Sequence, residues 1–167
     1  LDNKEAWSGY LEHRPMVVPV EISMGVSTAK GVDGLASNFL YAAPADADEE
    51  FAYNMAKWFH QGFDDYKGTH LLATRMDVEI FRDYLDRSPL PVHEGTVRYL
   101  KEIGVWTEED DAWNNEAIAK MDKWIEARKA AMAEAREKGL TPDYNNEEFM
   151  AILDKHTDGL EEFRSRL

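Results

Sequence analysis

Cysteine is absent from the 167 residues. That excludes disulfides and thiolate metal sites and leaves the compartment open, because exported proteins also occur without cysteine. Positive charge is scarce: 19 Lys and Arg face 33 Asp and Glu, a net charge of −14. No basic surface able to hold a nucleic-acid backbone is expected, and an anionic membrane would repel the chain. No apolar run approaches the ~20 residues of a membrane span, so direct membrane insertion is not expected. A signal-peptide pattern is missing as well. The opening residues, Leu1 to Pro15, are polar, lack an initiator Met and read as internal to a helix or loop. The chain is therefore expected to be a fragment, with any signal peptide lying upstream.

Signatures of catalysis are missing too. There is no G-x-S-x-G elbow, H-E-x-x-H helix or G-x-G-x-x-G turn. The loop Gly25 to Gly31 invites a phosphate-loop reading, but Lys30 precedes a glycine where a P-loop needs Lys followed by Ser or Thr. His60 and Asp64 stand four residues apart with no third ligand nearby, which suits an exposed helix pair better than a metal site. His93 is expected to make a structural hydrogen bond, and His156 to pack or cap. The acids Glu108 to Asp111 lack the alternation and central glycine of a calcium loop and read as a helix start. No enzyme activity, cofactor or metal is expected.

What is present is an ordinary apolar fraction of 44%, enough for one domain or a large piece of two. Residues 1–15 carry Trp7, Tyr10 and Leu11 at helical spacing. Strands are expected near 16–22, with Pro19 marking an edge, and near 35–42, apolar on both faces as in a layered α/β arrangement. Between them, residues 23–34 form a glycine-rich loop. Helices are expected near 46–66, with Phe51, Met55, Phe59 and Phe63 as an inward stripe, near 76–86 and near 94–103. The arm Leu90 to His93 is stiffened by Pro91, and Gly104 stops the helix that follows. From Thr107 the composition becomes strongly helical. A hydroxyl cap with acids behind it starts one long helix, whose stripe is Ile118, Met121, Ile125 and Met132. Trp113 and Trp124 lie beside that stripe and are expected to cover a neighbouring surface. A last helix from Asn146 carries Phe149, Leu153, Leu160 and Phe163. Two parts are expected: 1–106, an α/β portion, and 107–167, a helical hairpin extension.

The stretch Leu90 to Gly104 resembles the C-terminal signature of TAXI-type solute-binding proteins of TRAP transporters, a proline-led P-(apolar)-H-P-G-A before a short helix. Pro91, His93, Gly95, Arg98, Tyr99 and Gly104 match, while Glu94 and Thr96 depart from Pro and Ala. Upstream, Asn38 to Tyr41, the acidic turn Asp46 to Glu50 and the helix through Tyr53, Met55 and Trp58 follow the family's strand–turn–helix order. The resemblance covers roughly residues 16–105 and leaves the tail outside.

It implies a two-lobed, periplasmic binding-protein fold of type II-like architecture, of which this chain would supply the C-terminal portion. Such a protein closes on a small solute, an amino acid or carboxylate, and presents it to membrane permease subunits. The family's ligand loop falls at Ser23, Met24 and Gly25, where the lettering differs. Ser23 and Met24 are the ligand-side candidates, and Gly34, Ser37 and Asn38 the hinge candidates on the crossing strands. The rival expectation is a non-enzymatic helical interaction module. The stretch Leu90 to Gly104 is expected to act as a structural clasp between the α/β lobe and the helical tail.

Overall fold

The computed structural model describes residues 1–36 and 40–166 and divides the chain into two compact units: residues 1–111 with the segment from Phe163 onward, and Ala112–Glu162. The described residues are helix-rich, with one small sheet of two strands.

The first unit begins with α1 (Lys4–His13), capped by the Asn3 side chain, which accepts from the Ala6 N–H at 3.0 Å. Two short antiparallel strands follow, β1 (Val18–Glu21) and β2 (Asp33–Ala36), with Val18 opposite Ala36 and Glu21 opposite Asp33. The Ile22 N–H donates to the Val32 carbonyl at 2.8 Å and extends the ladder. Hydrogen-bonded pairs therefore fall at Val18, Val20 and Ile22, and Pro19, lacking a donor, takes a non-hydrogen-bonded place. Its carbonyl accepts from Arg87 Nη1 at 2.9 Å. The strand expected over 35–42 thus starts at Asp33 and alternates between exposed and half-buried residues. It is one arm of a hairpin, not a strand buried on both faces, because a two-stranded ladder leaves one side to water.

The Asp48 carboxylate opens α2 (Glu49–Gln61) by accepting from the Phe51 N–H at 2.8 Å. The helix expected over 46–66 is interrupted at Gly62, and α3 (Phe63–Tyr66) is a single turn. The inward phenylalanine stripe is also corrected: Phe51 is 58% exposed, and Met55, Phe59 and Phe63 are half-buried. What α2 buries is Ala52, because α5 (Glu94–Glu102) crosses it there at Gly95. A Cβ on Gly95 would stand 2.1 Å from the Glu49 carbonyl oxygen and 3.0 Å from Ala52 Cβ. Two small residues let the backbones approach; a phenylalanine at the crossing would hold them apart.

A 3₁₀ turn at Leu71–Arg75 leads into α4 (Val78–Leu85), whose cap Asp77 accepts from the Glu79 N–H at 2.7 Å. Helix α5 ends in a paired-bond glycine motif. Gly104, at φ 72°, donates to the Lys101 carbonyl at 3.1 Å, and Val105 donates to Leu100 at 2.9 Å. The core of this unit gathers Leu11, Val18, Leu85, Val97, Leu100 and Trp106. The segment from Phe163 returns to it, with Ser165 N–H donating to the Pro15 carbonyl at 2.7 Å.

Helix α6 (Glu108–Glu137) starts in the first unit and from Ala112 supplies the longer helix of the second. Gly139, at φ 67°, ends it with the same motif: its N–H reaches Arg136 at 3.0 Å and Leu140 reaches Ala135 at 2.9 Å. Asn146 caps α7 (Glu147–Thr157) by accepting from Glu148 and Phe149 at 3.1 and 3.2 Å. The chain then runs back along α6, joining His156 to Glu134 at 2.7 Å and Glu161 to Lys120 at 2.6 Å. The buried residues of α6 in this unit are Asn114, Ala117, Ala131 and Ala135, and those of α7 are Phe149 and Ile152. The apolar stripe read from the sequence is not among them. Ile118 is 39% exposed, and Met121, Ile125 and Met132 are half-buried. At 100° per residue the alanines Ala131 and Ala135 lie about a quarter to a third of a turn from that stripe.

Candidate functional site

The expected ligand and hinge residues fall on the hairpin. Ser23 is exposed and Met24 half-buried at the start of the β1–β2 loop, and Gly34 sits in β2 opposite Val20. The Gly34 α-carbon lies under Ile22, since a Cβ there would come 2.6 Å from Ile22 Cγ1. The structure thus brings Ser23, Met24 and Gly34 into one hairpin. Ser37 and Asn38 lie outside the described residues.

A concavity of about 690 Å³ lies elsewhere in the first unit, between α4, the corner joining α5 to α6, and Arg166. Its centre is Arg82, one turn before the end of α4. Nη1 of Arg82 reaches Asp110 Oδ2 at 2.7 Å and the Val105 carbonyl at 3.2 Å. Nη2 reaches Asp110 Oδ1 at 3.1 Å and also Asp86. Asp110 in turn accepts from the Thr107 N–H at 2.8 Å and returns a backbone bond to the Thr107 hydroxyl at 3.2 Å, a capping box closed by aspartate. Burial pushes the Asp110 carboxyl up, but the bonds from Arg82 and Thr107 outweigh it and hold the group below its usual range. Arg166 is turned inward, its Nη2 donating to the Leu85 carbonyl at 2.5 Å.

The four terminal N–H groups of Arg82 are therefore spent inside the protein, while Glu79, Asp83 and Glu109 line the opening. Such a lining offers acceptors. It suits an ammonium or hydroxyl group better than a bare carboxylate, which would meet guanidinium already committed and carboxylates of its own sign. No group of three His, Asp or Glu placed to hold a metal occurs among the described residues.

The lettering of the Leu90 to Gly104 stretch has internal partners. His93 caps α5 through Nδ1, which accepts from the Gly95 N–H at 3.2 Å. Arg98 pairs with Glu49 and Glu50 at 2.7 and 2.6 Å and lies 4.2 Å over the Tyr53 ring. Tyr99, 1% exposed, meets Tyr53 edge-on and joins its hydroxyl to His60 Nδ1 at 2.7 Å. Tyr53 donates to Glu102 at 2.5 Å, and that carboxylate raises the phenol above its ordinary value. The stretch expected to clasp lobe to tail instead closes mainly on α2, through Arg98 and Tyr99, and meets the start of the tail where Lys101 pairs with Asp111 at 2.7 Å. His60 accordingly belongs to Tyr99, not to an exposed pair with Asp64, which is taken by Lys67.

The Arg82–Asp110 pair and the Gly95 crossing escaped the sequence reading. Arg82 and Asp86 at four-residue spacing were a visible local signal; the bond to Asp110 spans 28 residues and had none. Among protein families, the model described as the NMT1-like family matches residues 3–104, ending at the glycine that closes α5. Neither the curated proteins nor the solved structures contain a match.

Proposed function

The chain belongs to the NMT1-like family, a periplasmic-binding-protein-like family of solute-binding type, and from that premise we propose that it works as the solute-binding component of a TRAP-type transporter of the TAXI branch. In this reading it is exported and periplasmic, forms part of a two-lobed fold, captures a small organic solute and hands it to membrane permease subunits. It performs no catalysis. The observation that carries the proposal is the family match over residues 3–104. The matching letters Pro91, His93, Gly95, Arg98, Tyr99 and Gly104 support the narrower TAXI assignment. Among amino acids and simple carboxylates, the acceptor-rich opening beside Arg82 favours the ammonium-bearing solutes.

The test is a thermal melt against a panel of amino acids, small carboxylates and amines. A ligand that binds only the folded chain raises its Tm, and amino acids are expected to raise it more than dicarboxylates. No rise with any member of the panel overturns the transport reading.

A further inference from the structure

The most regular apolar line of the second unit stays partly open to solvent. Ile118, Ile125 and Met132 recur every seven residues on α6, with Met121 beside them, over about 21 Å of helix at 1.5 Å per residue. On a helix of 100° per residue the three stay within about 20° of one line, while the alanines Ala131 and Ala135 occupy the buried face next to it. Ile118 is 39% exposed and Met121, Ile125 and Met132 are half-buried, so the line is partly open, and Ile125 and Met132 line a surface concavity together with Arg128, Lys129 and Arg136.

The charges beside that line are ordered as well. Asp122 and Lys129, seven residues apart, fall on the same flank, and neither has an ion pair among the described residues. The opposite flank carries Arg128, which lies 6.0 Å over the Trp124 ring. In the same unit Lys120, Lys138 and Lys155 all find carboxylates.

We propose that this face of α6 binds a second copy of the chain, antiparallel, about a two-fold axis passing Ile125. A two-fold axis across antiparallel helices keeps each flank facing its own counterpart. Ile125 then meets the partner's Ile125, and Ile118 meets the partner's Met132. Asp122 stands beside the partner's Lys129, and by symmetry the pair occurs twice. The apolar line and the two Asp122–Lys129 pairs are self-complementary across the axis, which selects a second copy over an anionic surface that would meet Asp122 and a net charge of −14. One helix face of this length covers less than the roughly 1,600 Å² of a standard interface, so the dimer is weak and forms as concentration rises.

Sedimentation equilibrium of the whole chain tests this. Its mass should climb from 19.2 kDa toward twice that with concentration. Ile125→Glu should abolish the rise while circular dichroism shows the helix content retained. Asp122→Lys and Lys129→Asp should each weaken association roughly tenfold, since each turns two attractive pairs repulsive. The double variant D122K/K129D restores both pairs in swapped form and should recover dimerisation, which no intrachain role at seven-residue spacing would do. A chain monomeric at every concentration overturns the proposal, including one that instead floats with phosphatidylglycerol vesicles. So does a dimer that survives Ile125→Glu, or a double variant no better than its singles.

Discussion

Gly95 holds two helices together by having no side chain. With the Glu49 carbonyl 2.1 Å from where a Cβ would sit, Gly95→Ala forces backbone against backbone, and neither helix can yield by rotating a rotamer. The expected cost is about 1–3 kcal/mol or more, read as a lower urea midpoint with the Tyr99–His60 bond lost. Asp110 is the second decisive residue, since one carboxylate both caps α6 and neutralises Arg82. Asp110→Ala leaves a guanidinium without its main partner and the Thr107 N–H unmet, at a cost of about 2–3 kcal/mol. A double-mutant cycle with Arg82→Ala should show coupling between the two, whereas near-additive losses would mean the pair is incidental. Half of this arrangement was legible in advance, because Thr107 and Asp110 stand at capping-box spacing. The partner from α4 was not, because no local rule links residues 28 apart.

Between elements, Glu134 is the point at which α6 and α7 are joined. It accepts from Lys155 at 3.0 Å, His156 at 2.7 Å and Lys138 at 3.1 Å. The Lys155 bond first, then those of His156 and Lys138, lower its carboxyl from 4.5 to about 2. A carboxyl depressed on folding adds stability above its unfolded value and loses it as the pH falls through the folded one. The join between α6 and α7 should therefore weaken as the pH drops from about 4.5 toward about 2, and Glu134→Gln should flatten that part of the profile. Helix content followed against pH in both proteins checks this. At this scale the helix ends were the legible part: Thr107, Gly104 and Gly139 all mark stops or starts that depend on bonds within one turn. The apolar stripes were not. Phe51 and Ile118 recur at helical spacing, yet the helices bury Ala52, Ala131 and Ala135 instead, and at Ala52 the reason is the close approach of Gly95.

For the whole molecule, a solute held at 100 times its dissociation constant adds about 2.7 kcal/mol. For a chain of this size that corresponds to roughly 5–10 °C in Tm, large enough to rank a solute panel. The candidate site illustrates what stayed hidden. Ser23, Met24 and Gly34 were placed from lettering alone, and the structure sets them on the hairpin, away from the acceptor-rich opening beside Arg82 that α4, the α5–α6 corner and Arg166 create together. Sequence by itself determined the caps, the glycine stops, the proline edge, the charge and the family over residues 3–104, because each rests on energies acting within a few residues or on lettering in order. Only the tertiary structure decided which residues of each helix are buried, and with what Arg82, Arg98 and Tyr99 pair. Those outcomes depend on how closely two distant backbones can approach, and that distance is set by the smallest side chains at the crossing.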